Sequence, residues 1–148
     1  MIEGAAAVAS ELVKRWEGFR SRPYICPAGV PTIGYGFTKY PSGASVTLRD
    51  PPMNRATADA ILKHFLLTEY MPAVLRLCPT IDTPERLGAI TDFCFNLGAG
   101  ALRSSTLRKR ILAARWEDVP FELRKWVRGG GRVLKGLVAR REDEIRFI

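Results

Sequence analysis

Residues 16–37, with the sequence WEGFRSRPYICPAGVPTIGYGF, constrain the fold more than any other part of the chain. A helix-forming run ends here near Phe19, with Glu17 in its last turn, and prolines and glycines recur in the residues that follow. Such punctuation interrupts helices and favours tight hairpins. The segment carries one carboxylate, Glu17, then a thiol at Cys26 and a hydroxyl at Thr32, and no further acid occurs before Asp50. The sequence therefore predicts a helix that delivers an acid to the edge of a small hairpin.

The composition indicates one packed domain without a metal or cofactor. With 148 residues, 47% of them hydrophobic and 26% charged, the chain is long enough to bury a core. The apolar run Ala5–Ala9 is too short to span a bilayer, and no Lys or Arg precedes it as in a secretory signal. We therefore expect synthesis in the cytoplasm and no membrane span. Three scattered cysteines and the single histidine, His64, give neither a disulfide framework nor a zinc pattern.

The positive charge is concentrated in the last third of the chain. Residues 1–100 carry 10 basic and 9 acidic side chains, a net of +1, whereas residues 101–148 carry 13 and 6, a net of +7. Such asymmetry is typical of proteins that meet nucleic acid, a membrane surface or an acidic polymer, and bacterial cell walls are also polyanionic. A solvated helical face accounts for the charge equally well.

The hydrophobic pattern predicts helices on both sides of the hairpin region. A first helix is expected over residues 5–19, hairpins over 24–46, and a long helix that starts at Asn54 or Thr57 and kinks or ends near Met71, because Pro72 follows. Further along, we expect a helix that begins at Thr83-Pro84 and ends at Gly98, a helix from Ser104 or Ser105 to Ala114, and a helix over 117–126. A flexible glycine turn is expected at 129–131. The last helix is expected to begin at Gly136, with Leu137, Val138 and Ile145 facing inward.

The acid, thiol and hydroxyl of the hairpin segment suit glycoside cleavage. That reaction needs a proton for the leaving oxygen and a group that handles the oxocarbenium-like centre on the other face of the sugar. Glu17 is the one candidate proton donor in the segment, and Trp16 can shield it from water. Thr32 can aim a water molecule, and Cys26 can accept its proton or attack directly once ionised. Taken alone, however, Cys26 also fits an inert small apolar residue and Thr32 an ordinary strand residue.

This pattern resembles the bacteriophage-type lysozymes, glycoside hydrolase family 24. In that family a Glu is followed, after eight residues, by Asp or sometimes Cys, and after five more by a Thr inside a T-I-G-x-G sequence. Glu17, Cys26 and the segment 32–36 match this spacing. The segments 93–98 (FCFNLG) and 136–142 (GLVARRE) are similar to the F-N-x-G helix end and the closing segment of the family. The resemblance thus covers nearly the whole chain.

The resemblance implies an α+β fold of lysozyme type in a single domain, residues 1–148. A small β lobe (about 20–55) and a larger helical lobe (1–19 and 80–148) would be joined by a long helix (about 57–78), with the active-site cleft between the lobes. It implies an endolysin that hydrolyses the β-1,4 bond between N-acetylmuramic acid and N-acetylglucosamine of peptidoglycan. The partners would be peptidoglycan and a separate holin. The protein would be released from the host cytoplasm and would then act on the cell wall. It would be a monomer that does not bind nucleic acid.

The same resemblance implies roles for individual residues. Glu17 would be the general acid, with Cys26 and Thr32 activating water or Cys26 forming a covalent intermediate. Arg140 or Arg141 would pair with Glu17 and hold it in place. The residues implied to bind substrate are Tyr35, Phe95, Asn96, Gly98 and Ser105, and those implied to support the site are Arg20, Arg140 and Arg141.

Two departures from the family pattern and three alternative functions stand beside this interpretation. Cys26 stands where the family usually has an acidic residue, and Phe37 stands where a histidine often follows T-I-G-x-G.

A lytic transglycosylase would cut the same bond with one acid and no water. A binding module would use residues 101–148 to hold a polyanion, and basic amphipathic helices could disrupt anionic membranes. Both of these last functions would survive the loss of Glu17.

Overall fold

The β lobe is a short hairpin with a glycine-rich extension. In the computed structural model, which describes residues 1–148, strand β1 (Arg20–Ile25) pairs antiparallel with strand β2 (Pro31–Gly34). The loop between them is closed by hydrogen bonds from Cys26 N to Val30 O and from Gly29 N to Cys26 O. The hairpins predicted over 24–46 are thus confirmed in part, because beyond β2 the chain forms only isolated bridges.

Helix α1 (Ile2–Glu17) delivers Glu17 to this hairpin. It begins three residues earlier than predicted and ends two residues earlier, since Gly18 adopts a φ of +69° that stops the helix. The buried residues Ala9, Leu12 and Val13 lie along the face that packs on the helical lobe. The carboxylate at the last helical position therefore faces the junction of the two lobes.

The connecting helix continues past Pro72, so it does not end near Met71, which was one of the two outcomes predicted there. Helix α2 (Arg55–Phe65) is capped by Asn54, whose side chain accepts from Thr57 N, as one of the two predicted starts. A π-helical turn (Leu66–Tyr70) then leads directly into helix α3 (Met71–Leu77). Proline cannot donate to the carbonyl four residues earlier and its ring would clash there. The wider π turn makes room for the proline ring and does not need the missing donor, so the helix continues into α3.

Helix α4 (Pro84–Leu97) is the centre of the helical lobe. It starts as predicted, with the Thr83 hydroxyl accepting from Arg86 N, and stops at Gly98. Residues 87–94 are all buried, so the helix is surrounded by its neighbours, α1 among them. The apolar core is one contiguous cluster that extends from the β lobe into the helical lobe.

The remaining elements correct several predictions. A short helix α5 (Ala99–Arg103), not predicted, precedes α6 (Thr106–Leu112), which Ser105 caps. The helix predicted over 117–126 is shorter: a 3₁₀ turn (Trp116–Asp118) followed by α7 (Val119–Leu123). The predicted glycine turn lies within a tight hairpin of β3 (Arg128–Gly129) and β4 (Arg132–Val133).

The last helix, α8 (Lys135–Ile145), buries charge rather than the expected apolar face. Val138 is exposed, and Leu137 and Ile145 are only half-buried. The fully or nearly buried residues of α8 are Arg140, Arg141, Asp143 and Glu144. These charges find partners on α1 and α4, which is why this helix can pack despite its polarity. The predicted architecture, a small sheet lobe and a helical lobe joined by a long helix, is confirmed, and none of its helices is both long and apolar enough to cross a membrane.

Candidate active site

Glu17 lies at the junction of the lobes, held by an arginine from the end of the chain. Arg140 Nη1 donates to Glu17 Oε2 at 2.7 Å, and the Glu17 side chain keeps about a quarter of its surface exposed (24%). The sequence left open whether Arg140 or Arg141 would make this contact, and the structure places Arg140 there. The acid is thus fixed in orientation while one face remains open to a ligand.

Asp92 of α4 holds Arg140 in turn, and sequence reasoning missed it. Arg140 donates from Nε to Asp92 Oδ2 at 3.0 Å and from Nη2 to Oδ1 at 2.7 Å, and Asp92 is fully buried. Burial disfavours the charge of Arg140, but the carboxylates of Asp92 and Glu17 outweigh it and raise the pKa of the guanidinium. An acid in the middle of the apolar helix 84–97 was the available signal, because a buried carboxylate needs a cation.

Arg141 points away from Glu17 into a second buried group. Its Nη2 donates to Asn96 Oδ1 at 2.6 Å and to Glu144 Oε1 at 2.9 Å. Burial lowers the pKa of Arg141 and raises that of Glu144. Arg141 therefore supports the helix packing behind the site, and Asn96, expected at the substrate, is engaged by Arg141.

Gly36 allows the backbone of the β lobe to approach Glu17. A Cβ at this position would lie 2.8 Å from Glu17 Oε1, so the Glu17 carboxylate would have to move, and φ is +80°. Only glycine meets both requirements without strain. The second glycine of the T-I-G-x-G segment is thus explained by contact with the acid.

Cys26 and Thr32 lie side by side at the hairpin end. Thr32 pairs with Tyr24 across the strands, is 2% exposed, and donates from Oγ1 to Val30 O at 2.8 Å. The Thr32 hydroxyl lowers the pKa of the half-exposed Cys26 thiol, and the backbone of Val30 adds to this. Thr32 can therefore only accept a hydrogen bond from a water molecule, because its proton is engaged by Val30 O, and the part-exposed Cys26 thiolate is the group that can take up a proton.

A small cavity between the β lobe and the helices is lined in part by Gly36, the residue that faces Glu17. It has a volume of about 60 Å³. Tyr70 and Phe95 contribute rings tilted by 48° to each other, with centroids 4.9 Å apart, and Lys39 Nζ lies 3.1 Å from Glu69 Oε1. Burial raises the pKa of the Tyr70 phenol, with smaller contributions from the charges of Glu69 and Glu17. The residues that line the cavity are Gly36, Phe37, Thr38, Lys39, Phe65, Glu69, Tyr70 and Phe95.

The residues expected to bind substrate are thus only partly at this cavity. Phe95 lines it, and Gly98 lies at the turn between α4 and α5 with a φ of +90°. Tyr35 is instead 2% exposed and donates to Asp59 at 2.9 Å, and Ser105 is buried as the cap of α6, accepting from Arg108 N. The polar atoms of these two residues are hydrogen-bonded within the protein, and their contact with substrate stays a prediction.

Two further sequence expectations concern the β lobe. Arg20, expected to support the site, is exposed and lies over the Tyr24 ring, 4.1 Å from its centroid, with no ion pair to Glu17. Phe37, which replaces the histidine of the family pattern, packs edge-on against Phe65 with ring centroids 5.7 Å apart. An aromatic contact between the β lobe and α2 thus occupies this position.

Comparison with known proteins agrees with this geometry. The family model described as phage lysozyme matches residues 14–144. The SAR-endolysin of bacteriophage PS119 is 33% identical over 150 residues, covering 95% of this chain and 84% of the relative. The endolysin of Bacillus phage B103 is 32% identical over 133 residues, and the match covers 90% of this chain but only 49% of that protein, about half its length.

A solved structure supports the same relationship. The muramidase domain of SpmX from Asticaccaulis excentricus superimposes with a TM-score of 0.76 at 32% identity, covering 94% of this chain and 92% of that domain. The matched region of the family model contains Glu17, Cys26, Thr32, Asp92 and Arg140. The chain belongs to the phage lysozyme family.

Proposed function

We propose that this chain is an endolysin that hydrolyses the β-1,4 bond between N-acetylmuramic acid and N-acetylglucosamine in peptidoglycan. Its family and its relatives make it a peptidoglycan-hydrolysing enzyme. The observation that carries the assignment of the site is the placement of Glu17, fixed by Arg140 and facing Gly36, a residue that lines an aromatic cavity.

In this mechanism, Glu17 is the general acid and donates its proton to the leaving glycosidic oxygen. A water molecule held by Thr32 attacks the anomeric carbon from the other side, and its proton passes to the Cys26 thiolate. The C–O bond to the leaving sugar breaks as the new C–O bond forms, so the anomeric configuration inverts. The lowered pKa of Cys26 supports this role, because a larger fraction of the thiol is ionised near neutral pH.

Product analysis tests the proposal. Purified peptidoglycan is digested with the wild type, with Glu17→Gln and with the control Glu11→Gln, which alters an exposed acid of the same helix. Mass spectrometry should find hydrated muramic-acid reducing ends for the wild type and control, and none for Glu17→Gln. Anhydro ends would instead identify a lytic transglycosylase. An absence of cleavage would favour the basic helices as a binding surface.

We also propose that the protein works as a monomer and reaches the wall through a separate holin. Several relatives are named SAR-endolysins, so the route to the wall needs its own test. Bacteria expressing the chain alone should keep growing, and coexpression of a holin should lyse them. Lysis without a holin would contradict this route, and light scattering of the purified protein would reveal a dimer.

A further inference from the structure

We propose that Glu144 is a positioning residue for the general acid: its carboxyl stays neutral and donates a hydrogen bond to Asp92. Asp92 in turn binds Arg140, the residue that orients Glu17. This inference rests on the glycan-cleaving function proposed above. Glu144 lies on α8, one helical turn after Arg140, and its side chain is completely buried, so it acts on the acid only through other residues.

Two buried carboxyl groups meet where α8 packs on α4. Asp92 and Glu144 are both fully buried, and their side chains are in hydrogen-bonding contact. When two carboxyl groups share a buried site, repulsion between like charges leaves one of them protonated. A protonated carboxyl then has a proton to donate to the ionised one. One member of this pair therefore carries a proton at neutral pH.

The hydrogen bonds from the two arginines assign that proton to Glu144. Asp92 accepts one hydrogen bond from Arg140 at each carboxylate oxygen, at 3.0 and 2.7 Å. Glu144 accepts a single one, from Arg141 Nη2 to Oε1 at 2.9 Å. Its Oε2 lies 2.9 Å from Arg141 Nε without forming a hydrogen bond. Charged donors at both oxygens favour the ionised form, so Asp92 is the carboxylate and Glu144 the acid.

The groups that surround Glu144 favour its neutral form. Burial is the largest influence and raises the pKa of Glu144, and the hydrogen bond and negative charge of Asp92 raise it further. The positive charges of Arg141 and Arg140 act in the opposite direction but do not cancel this. Cys94 also lies near Glu144, and burial raises the pKa of its thiol to about 12, so it is uncharged at neutral pH.

Urea unfolding of Glu144→Gln tests the position of the proton independently of activity. Glutamine imitates a protonated glutamate, because its amide can donate to Asp92 and accept from Arg141. A carboxyl with a higher pKa in the folded state contributes stability below its unfolded pKa, and this contribution is lost as pH rises through the folded value. The urea midpoint of Glu144→Gln relative to wild type should therefore rise between pH 3 and pH 7.

The matched control for unfolding is Glu122→Gln, which alters another buried glutamate. Glu122 accepts two hydrogen bonds from Lys125, at 2.9 and 3.0 Å, and this variant should have a lower midpoint than wild type at pH 7. A similar decrease for Glu144→Gln at pH 7 would show that Glu144 is an ionised partner of Arg141, and would overturn the proposal.

Steady-state kinetics with peptidoglycan test the positioning role. Glu144→Gln should keep the wild-type kcat. Glu144→Leu has no donor for Asp92, and in Glu144→Asp the carboxyl is one methylene too short to reach it. Both should lower kcat at least ~10-fold, because a small displacement of a catalytic group costs up to ~100-fold. KM should stay unchanged, since Glu144 is buried away from substrate.

The variant Glu144→Asp decides the matter should Glu144→Leu not fold. A wild-type kcat in either folded variant, or a loss in Glu144→Gln as large as theirs, would overturn the positioning role. A wild type that fails to cleave peptidoglycan would instead refute the proposed function, whereas the unfolding comparison would still report the state of Glu144.

Discussion

Arg140 donates a 2.7 Å hydrogen bond to Glu17, a residue that lies 123 positions earlier in the chain. The Nε and Nη2 edge of its guanidinium donates two hydrogen bonds to the buried Asp92. Three helices, α1, α4 and α8, thus meet at one planar fork. A lysine could supply the charge but not these three directions at once. The orientation of the acid therefore depends on the shape of the arginine as well as on its charge.

Arg140→Lys should lower activity by up to ~100-fold, because a small displacement of a catalytic group has an effect of that size. It should also lower the free energy of unfolding by about 1–3 kcal/mol, since Asp92 stays buried with fewer hydrogen bonds. Reducing-end release and urea unfolding measure the two effects. The control is Arg124→Lys, which disrupts an exposed fork to Glu142 and should leave activity unchanged. Equal activity of both variants would contradict a positioning role for Arg140.

Cys26→Asp should keep substantial activity, because a carboxylate can take the proton of water in the place of the thiolate. Cys26→Ala should lose at least ~100-fold, the usual contribution of a general base. Rates of peptidoglycan cleavage by the two purified variants decide the matter. If Cys26→Ala were as active as the parent, the thiol would have no catalytic role.

Among the three cysteines, Cys26 alone should react with iodoacetamide at neutral pH. Its pKa is lowered by the Thr32 hydroxyl, whereas burial raises the pKa of Cys78 to about 11 and that of Cys94 to about 12. Peptide mapping after alkylation at several pH values measures this. Thr32→Val should move the reaction of Cys26 to higher pH, because the hydroxyl no longer stabilises the thiolate. Alkylation that follows the same pH curve in both proteins would show that Thr32 does not influence the thiol.

Gly36→Ala should abolish most activity, since its methyl group would lie 2.8 Å from Glu17 Oε1. Gly43→Ala is the matched control: it has a similar positive φ of +91° and open space around the added methyl group. Both variants should lose about 1–2 kcal/mol of stability from the left-handed backbone. Only Gly36→Ala should lose activity, and a parallel loss in Gly43→Ala would mean that strain alone disturbs the site.

The sequence predicts features that depend on neighbouring residues better than features that depend on contacts between residues distant in the chain. Local signals were sufficient for the cap at Asn54, the Thr83-Pro84 helix start and the stop at Gly98. At Pro72 they indicated an end or a kink, but not the π turn through which the helix continues. They failed on α8, where an apolar inner face was expected and a charged one is buried.

The candidate active site was likewise predicted where local sequence signals exist and missed where tertiary contacts form it. The spacing of Glu17, Cys26 and Thr32 and the resemblance it carries placed the acid and the hairpin. Asp92 and Glu69 were missed, because each reaches the site through tertiary packing of a helix distant in sequence. Tyr35 was expected at the substrate, but its position on the strand extension turns it into the core. Which side of a short segment faces a ligand is decided by what packs on the other side.

Asp143→Asn should destabilise the protein at neutral pH by an amount that vanishes in acid. Burial alone would raise the pKa of Asp143, but hydrogen bonds from Arg15 and Trp16 outweigh it and hold the pKa below its ordinary value of 3.8. A carboxyl with a lower pKa in the folded state contributes stability above its unfolded pKa, and this contribution is lost as pH falls through the folded value.

Urea unfolding of wild type and Asp143→Asn at pH 7, 5 and 3 measures this linkage. The difference in unfolding free energy should be constant between pH 7 and 5 and should shrink at pH 3, because there the unfolded chain takes up a proton that the folded carboxyl, with its lowered pKa, binds less readily. The control Asp82→Asn removes an exposed pair with Arg86 and should show little difference at any pH. A difference for Asp143→Asn that stays the same at all three pH values would mean that the side-chain shape, and not its charge, stabilises the packing of α8 on α1.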